Sequence, residues 1–324
     1  MRINHKTRIL VTGGSGFIGA SIVKKLSKVC SVIVFDNNFR GNKRRLNYII
    51  NNVEYIEGDI RNIKDLEKAC KNIDIIIHLA YIQGTKNFYT IPYEIIEVAT
   101  KGIINILSCM TKFKINNLVL ASSSEVYQEP KIIPTNENIE LTIPDINNPR
   151  YTYGGGKIIS ELMALNYAKH FKKNVIIFRP HNVYGPDMGW DHVIPELTEK
   201  IRKKINKSNK FSIKIEGTGN ETRSFIHIDD FINGFLLILK KGKKNNIYNI
   251  GSNEQVTIKE LIKKIEKILR VDIKIIPGKL RKGSAKKRCP DIKKLSKLGH
   301  INKINLIDGL KNTIKWYLQN SNIK

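Results

Sequence analysis

Residues 11–19 read Val11-Thr12-Gly13-Gly14-Ser15-Gly16-Phe17-Ile18-Gly19, and the first of them, Val11, ends the short apolar run of residues 8–11. The apolar run predicts a buried strand, and the residues after the glycines predict a helix, so the glycines lie at a strand-to-helix junction. Glycine at such a junction keeps side chains out of the turn, and the free N–H groups at the helix start face phosphate groups. The pattern predicts a dinucleotide site in which Gly13, Gly16 and Gly19 allow close approach and close packing.

A second signal for the cofactor comes one strand later. Residues 31–35 predict the next apolar strand, which ends at Asp36, whose carboxylate would accept hydrogen bonds from the adenosine ribose hydroxyls. A carboxylate there repels a 2′-phosphate, so the sequence favours NAD over NADP. Asp36 is also consistent with a turn shared with Asn37 and Asn38. The order of strand, glycine turn, helix, strand and acid favours the cofactor interpretation.

Composition is typical of an enzyme with a large core. The chain has 324 residues, of which 41% are hydrophobic, enough for one elaborate unit or two domains. The four cysteines are far apart and form no Cys-x-x-Cys pair, which predicts neither a disulfide framework nor a metal site. The first residues are polar, and no apolar run reaches the length of a membrane span. We therefore expect a cytoplasmic protein with no metal and no membrane partner.

The formal net charge of +27 would ordinarily suggest nucleic acid as a partner. Lysine is spread along the chain together with many isoleucines and asparagines, which indicates a compositional bias rather than a patch. The densest basic stretches, residues 200–210 and 279–288, lack the interleaved aromatics of a groove for single strands. We therefore expect no nucleic-acid partner and interpret the charge as a positive field that attracts anionic nucleotides.

Strand and helix patterns alternate along most of the chain. Further strands are predicted at residues 53–56, 73–79, 118–122 and 175–178, and helices at residues 63–71, 92–109, 153–171 and 193–203. This alternation predicts an α/β fold, a doubly wound parallel (Rossmann) sheet covered on both faces. From about Pro180 the pattern breaks up. We expect a cofactor domain of residues 1–179 and a smaller substrate domain of residues 180–324, with a late strand near Tyr248 that returns to the main sheet.

The ends of the third and fourth strands carry further residues that fit the cofactor. Asp59, followed by Ile60, is placed to meet the adenine amino group, and His78-Leu79-Ala80 ends its strand near the expected nicotinamide side. Asp59 is equally consistent with a helix cap, and His78 with a hydrogen-bonded core histidine.

The chemistry is assigned to Tyr153 and Lys157, which are spaced i, i+4 and share one helix face. An ordinary tyrosine has a pKa near about 10, which is too high for easy base catalysis at neutral pH. The Lys157 ammonium and a positive nicotinamide ring would both favour the phenolate and lower this pKa. Tyr153 would then take a hydroxyl proton from a substrate while hydride leaves the same carbon for NAD.

Two neighbouring features distinguish this pair from a chance match on an amphipathic helix. Three glycines, Gly154 to Gly156, separate the pair, and each costs about 1 kcal/mol relative to alanine unless a close approach compensates. Ser122-Ser123-Ser124-Glu125 follows the fifth strand, where a hydroxyl such as that of Ser123 can share a hydrogen-bond network with Tyr153. The predicted cofactor contacts are Gly13, Gly16, Phe17, Ile18, Gly19, Asp36, Asn37, Asp59, Ile60, Leu79, Ala80, Tyr153 and Lys157.

Over nearly its full length the chain resembles the extended short-chain dehydrogenase/reductases, specifically the NAD-dependent nucleotide-sugar epimerase/dehydratase family. The resemblance rests on residues 12–19, 36, 58–60, 78–80, 121–127, 153–157, 179–186, 217–230, 248–251 and 290–291. It implies a doubly wound NAD-binding domain and a smaller C-terminal domain that holds a nucleoside diphosphate sugar. It also implies that Asn182 contacts a substrate phosphate and that the Arg223 guanidinium meets the diphosphate. We further expect a homodimer.

The resemblance implies that the reaction begins with oxidation of a sugar carbon, usually C4, to a ketone by bound NAD. Epimerases return hydride to the other face, dehydratases eliminate water across C5 and C6, and decarboxylases lose a C5 carboxylate. Ser123-Ser124-Glu125 resembles the triplet of 4,6-dehydratases and UDP-glucuronate decarboxylases, where Glu125 would be a base near C5. Pro149-Arg150 also resembles the decarboxylase spacing. In contrast, Tyr81-Ile82-Gln83 resembles neither branch, and position 124 lacks the aspartate of the dehydratases.

Three departures bear on substrate recognition: His181 and Gln128 replace the usual residues, and Ala99 stands in place of a frequent asparagine. They indicate a substrate other than that of the commonest galactose epimerases. The sequence slightly favours epimerisation through a keto intermediate, with a dehydratase or decarboxylase as the alternative. A catalytically silent NAD-binding regulator is a further alternative, which the intact Tyr/Lys pair disfavours. The predicted catalytic residues are Tyr153, Lys157, Ser123, Ser124 and Glu125.

Overall fold

The computed structural model describes residues 1, 3–205 and 208–323, so positions 206 and 207 of the basic stretch 200–210 lie outside the described residues. The strands are β1 Arg8–Thr12, β2 Ser31–Asp36, β3 Glu54–Glu57, β4 Ile75–His78, β5 Asn117–Ala121, β6 Asn174–Pro180, β7 Val183–Tyr184, β8 Lys210–Lys214, β9 Thr222–Ser224, β10 Ile226–His227, β11 Asn246–Ile250, β12 Gln255–Thr257 and β13 Asp272–Ile276. The α-helices are α1 Phe17–Leu26, α2 Ile63–Ala69, α3 Thr85–Thr90, α4 Pro92–Lys112, α5 Thr152–His170, α6 Val193–Ile205, α7 Ile228–Lys241, α8 Ile258–Leu269, α9 Lys293–Ser296 and α10 Leu306–Gln319. Short 3-10 helices span Lys43–Asn52, Ser124–Tyr127 and Pro149–Tyr151.

A seven-stranded parallel sheet has the strand order β11-β6-β5-β4-β1-β2-β3. This confirms the predicted doubly wound sheet. The strand order reverses between β1 and β4, and the carboxyl ends of these two strands therefore open a crevice. The predicted late strand is β11, in which Tyr248 pairs with Phe178 of β6. The domain boundary at residue 179 stays a prediction.

Helices cover both faces of this sheet, which explains why its strands read as continuous apolar runs. Ile9 and Val11 of β1 pack with Phe231 of α7 on one face, and Leu10 packs with Ile103 of α4 on the other. Each such side chain contributes about 1.5–3 kcal/mol when it is fully buried. Packing on both faces holds the strand ends, and the loops that follow them, in fixed positions.

The residues after β6 build a third apolar core. Leu197 of α6, Leu261 of α8 and Leu310 of α10 meet there, beside the parallel pair β8 and β13. Between β2 and β3 the chain forms the 3-10 helix Lys43–Asn52, which the sequence did not predict. Within the described ranges, no helix is both long and apolar enough to cross a membrane.

Candidate active site

A cavity of about 420 Å³ lies at the carboxyl ends of the central strands, where the sheet order reverses. Every residue predicted to contact the cofactor lines it, from Gly13 to Lys157. The predicted catalytic residues Ser123, Ser124, Glu125 and Tyr153 line it as well, as does Asn182 of the predicted substrate pair. The other member of that pair, Arg223, is not part of its wall. The fold therefore gathers nearly all of the predicted site into one cleft.

The glycine turn fits a pyrophosphate. Gly13 has a φ of 73°, and a Cβ at this position would lie 2.6 Å from the backbone nitrogen of Ala80. A Cβ at Gly19 would overlap the carbonyl oxygen of Gly13. Helix α1 begins at Phe17, directly after Gly16, and Gly16, Phe17 and Ile18 line the cavity, so the helix N-terminus lies at the cavity wall. A dinucleotide needs this close approach of backbone to phosphate.

The Asp36 carboxylate is fixed at the end of β2 and lines the cavity. It accepts hydrogen bonds from the backbone N–H groups of Ser15 and Asn38, each at 2.9 Å. A carboxylate can accept about four hydrogen bonds, so it retains capacity for ribose hydroxyls. The turn that the sequence allowed at Asp36 and the cofactor role are therefore compatible.

Asp59 and His78 have different surroundings. Asp59 forms an ion pair with Arg61 at 2.7 Å and accepts from Asn37 at 3.1 Å, and the hydrogen bonds from Arg61 lower the pKa of Asp59. The helix cap that follows is Asn62, so Asp59 is not that cap. His78 lies 2.7 Å from the Thr12 hydroxyl, and burial lowers its pKa to about 3. His78 is thus a hydrogen-bonded core histidine, and only Leu79 and Ala80 of its motif reach the cavity.

Tyr153 and Lys157 lie buried on the first turns of α5. Burial raises the pKa of Tyr153 to about 12, while the hydrogen bond with Ser123 and the charges of Arg40 and Arg150 act in the opposite direction. Burial lowers the pKa of Lys157 to about 7, and Nζ donates a hydrogen bond to the Ala121 carbonyl at 2.7 Å. The sequence predicted a lowered phenol pKa. The protein alone raises it, because desolvation of the phenolate outweighs the nearby positive charges.

Glycine is less favourable than alanine within a helix, so the three glycines between Tyr153 and Lys157 predict close neighbours, and the structure shows them. A Cβ at Gly154 would lie 2.9 Å from the Glu125 carbonyl oxygen, and one at Gly156 would lie 2.6 Å from the Ala99 Cβ. Gly155 is less confined, since its nearest atom would be the Ile143 Cδ1 at 3.2 Å. Two of the three glycines therefore permit tight packing of α5 against its neighbours.

The Glu125 carboxylate is held between two arginines from distant parts of the chain. Its Oε1 lies 2.6 Å from Nη1 of Arg288, and its Oε2 lies 2.9 Å from Nη2 of Arg150. Burial favours the neutral acid, but the charges of Arg288 and Arg150 outweigh burial and lower the pKa of Glu125 to about 2. Glu125 is therefore an ionised carboxylate of very low basicity.

The two predicted substrate contacts differ in position. Asn182 donates from its side chain to the Ser224 carbonyl at 2.9 Å, and it lines the cavity. Arg223 donates to the carbonyl of Thr222 at 2.8 Å, and burial together with the charge of Arg288 lowers its pKa to about 10. The positive charge of Arg223 also lowers the pKa of Glu125, in addition to the charges of Arg150 and Arg288.

Sequence reasoning did not single out Arg40, Arg150 or Arg288 as site residues. Arg40 lines the cavity, and its Nη1 is buried without a hydrogen-bond partner among the described residues. Arg150 belongs to the Pro149-Arg150 motif, which resembles the decarboxylase spacing. Arg288 is the last residue of the basic stretch 279–288, whose charge was interpreted as part of a general positive field. In a chain with 56 lysines and arginines, the sequence does not show which of them turn inward.

Comparisons with known proteins agree with this geometry. The family model described as "NAD dependent epimerase/dehydratase family" matches residues 9–251. A putative UDP-glucose 4-epimerase of Methanocaldococcus jannaschii is 34% identical over 320 residues, which cover 97% of this chain and 99% of that protein. UDP-glucuronic acid decarboxylase 1 of Danio rerio is 30% identical, over 96% of this chain and 73% of its own length. The crystal structure of DesIV, a dTDP-glucose 4,6-dehydratase of Streptomyces venezuelae with NAD bound, superposes with a TM-score of 0.87 at 27% identity and 98% coverage of both chains.

Proposed function

The chain belongs to the NAD-dependent epimerase/dehydratase family, with NAD as its cofactor, and we propose that within this class of nucleotide-sugar enzymes it acts as a 4-epimerase. The proposed reaction oxidises C4 of a nucleoside diphosphate sugar to a ketone and reduces that ketone on its opposite face. The observation that carries the proposal is the placement of the Glu125 carboxylate between Arg288 and Arg150, at 2.6 and 2.9 Å, which lowers its pKa and leaves it a poor base.

Proton transfer at C4 is assigned to Tyr153. Bound NAD supplies the hydride acceptor for C4 and a positively charged ring. Tyr153 takes the C4 hydroxyl proton through its phenol oxygen, which shares a hydrogen bond with Ser123. Lys157, one turn later on the same face of α5, adds a positive charge that favours the phenolate. In the second half of the cycle, Tyr153 returns the proton to the oxygen of the inverted carbon.

Elimination across C5 and C6 needs a base for the C5 proton. General bases work best when their pKa lies near the working pH, and a carboxylate with a pKa of about 2 is far below it. Residue 124 is a serine, so the triplet also lacks a second carboxyl group that would serve as an acid. These features favour inversion at C4 over dehydration.

Decarboxylation is the second candidate, because it needs no base at C5. The buried Nε and Nη1 of Arg150 and the buried Nε of Arg288 have no hydrogen-bond partner among the described residues. Guanidinium groups bind carboxylates well, so these donors suit a substrate that carries a C5 carboxylate. Arg150 and Arg288 are already paired with Glu125, however, and neither lines the cavity.

Product analysis with a panel of nucleotide sugars tests the proposal. The purified protein is incubated in deuterated water with UDP-, dTDP-, GDP- and CDP-hexoses and with UDP-glucuronate, and products are identified by NMR and mass spectrometry. A C4 epimer without deuterium at C5 or C6 is expected. A 4-keto-6-deoxy product with deuterium would contradict the proposal in favour of dehydration, and a pentose with carbon dioxide would favour the second candidate. A folded, NAD-bound protein with no turnover on any of these sugars would favour the silent regulator.

A homodimer is proposed through the outer face of α4 and α5. Tyr93 and Ile104 of α4 and Leu162 of α5 are large apolar side chains with exposed fractions of 71%, 47% and 62%. Tyr93 and Ile104 are about three helical turns apart and so lie on one side of α4. A second copy of this face would bury all three. Light scattering after gel filtration should show a dimer that Leu162→Glu converts to a monomer; a monomeric wild-type protein would contradict the proposal.

A further inference from the structure

Tyr81 contacts both members of the proposed catalytic pair. Its ring centroid lies 3.8 Å from Nζ of Lys157 and 5.1 Å from the ring centroid of Tyr153, which it meets at an interplanar angle of 84°. The Tyr153 ring is farther from the ammonium, at 6.0 Å. A cation within about 6 Å of an aromatic ring face is attracted by the ring quadrupole, and the attraction is stronger where water is excluded. Tyr81 is therefore the nearer aromatic partner of the Lys157 charge.

Gly156 makes room for the Tyr81 side chain. A Cβ at Gly156 would overlap the Tyr81 hydroxyl and would lie 2.6 Å from the Cβ of Ala99. The hydroxyl is buried and has no hydrogen-bond partner in the part of the chain that the structure describes. The contacts that join Tyr81 to the catalytic pair are therefore those of its ring. Gly156, between the two members of the pair, therefore leaves the space that the Tyr81 hydroxyl occupies.

The other groups around Lys157 do not replace the ring. The Ala121 carbonyl accepts one hydrogen bond from Nζ at 2.7 Å. Glu161, one turn further along α5, attracts the ammonium, but its carboxylate is engaged by Arg179 at 2.6 and 2.9 Å. His78 on β4 is neutral near pH 7, since burial and Lys157 lower its pKa to about 3.

We propose that Tyr81 is a positioning residue of the catalytic pair: its ring face stabilises the Lys157 ammonium and its contact with Tyr153 fixes the phenol ring. This inference rests on the roles proposed for Tyr153 and Lys157 in proton transfer. It goes beyond them because it makes the protonation of Lys157 depend on a residue from the loop after β4. Without the ring, Lys157 should lose its proton at a lower pH.

The test compares Tyr81→Phe, which keeps the ring, with Tyr81→Leu, which removes it. Phe88→Leu is the matched control. The Phe88 and Tyr153 ring centroids are 5.2 Å apart, but the cation over the Phe88 ring is the Arg150 guanidinium and not Lys157. The fraction of Lys157 in the amine form is measured between pH 5 and 10, a range chosen to bracket about 7, by competitive acetylation and mass spectrometry. The pH dependence of kcat and kcat/KM is measured on the nucleotide sugar that the wild-type protein turns over.

Tyr81→Phe should keep the wild-type titration of Lys157 and the wild-type pH profile. Tyr81→Leu should shift the titration of Lys157, and the decline of kcat with rising pH, to lower pH by about one unit, with about a tenfold loss of kcat above that point. Phe88→Leu should leave the titration in place. If Tyr81→Leu does not fold, Tyr81→Met fills more of the same space without a ring and tests the same point.

An unmoved titration in Tyr81→Leu or Tyr81→Met would overturn the proposal, as would a shift of the same size in Tyr81→Phe. Tyr153→Phe, assayed in parallel, separates this failure from failure of the proposed function. If Tyr153→Phe is inactive while Tyr81→Leu is normal, only the role of Tyr81 is wrong. If Tyr153→Phe retains full activity, the proposed catalytic pair is itself wrong.

Discussion

Replacing Glu125 with glutamine should destabilise the protein, because the carboxylate pairs with two buried guanidinium groups. The side chain of Glu125 is 19% exposed, and those of Arg150 and Arg288 are 8% and 5% exposed. The pKa of Glu125 falls from an ordinary 4.5 to about 2, and each unit corresponds to about 1.4 kcal/mol. Loss of the charge should therefore lower the free energy of unfolding at pH 7 by about 3 kcal/mol, within the range for breaking a buried pair.

The pH dependence gives this prediction its sign. Because the folded pKa is lower than the unfolded one, the carboxylate stabilises the fold above pH 4.5, and this stabilisation is lost as the pH falls towards about 2. The difference between wild type and Glu125→Gln should therefore be largest near pH 7 and shrink to about half near pH 3. Urea unfolding followed by circular dichroism measures it, with the exposed Glu129→Gln as the control. Equal stability of wild type and Glu125→Gln at pH 7, or a difference that does not shrink in acid, would refute the reasoning.

Three further predictions concern the proposed catalytic pair and the cofactor. Tyr153→Phe should lower kcat by about 10²–10⁴-fold while NAD affinity, measured by calorimetry, stays near wild type, because the ring that packs on Phe88 is kept; normal turnover would contradict this. Lys157→Met should weaken both turnover and NAD binding, because Lys157 is expected to contact the nicotinamide ribose and to favour the Tyr153 phenolate. Because the pKa of Lys157 is lowered to about 7 in the fold, the unfolded chain binds the extra proton, and wild-type stability should rise between about pH 7 and 10.5. The melting temperature, measured across this pH range, should show that rise for the wild type and not for Lys157→Met. An unchanged rise in Lys157→Met would show that another group titrates. Asp36→Ala should reduce the preference for NAD over NADP by at least about tenfold in dissociation constants, since a carboxylate repels a 2′-phosphate; equal affinity of the wild-type protein for both would remove this assignment.

Local sequence signals predicted the sheet and the cavity wall. The glycine turn, Asp36, and the Tyr153 and Lys157 pair depend on spacing within one strand, turn or helix, and a doubly wound sheet brings such strand ends to one edge. The surroundings of Glu125 could not be predicted in this way. Arg288 lies 163 positions from Glu125 in the chain, and only the packing of the C-terminal region brings the two together. The raised pKa of Tyr153 in the protein without cofactor could not be predicted either, because burial is a property of the whole fold.

The charge balance around Glu125 says more about the reaction than the identity of the residue does. A carboxylate at this place is an efficient base only if its pKa is raised towards the working pH, which requires burial or a neighbouring negative charge. In this chain, burial acts in that direction, but two paired arginines and the nearby Arg223 overcome it. The same side chain is then an anchor that orders Arg150 and Arg288 behind the cavity. Under the proposed function, the cations placed around residue 125 therefore disfavour proton removal at C5 and leave inversion at C4.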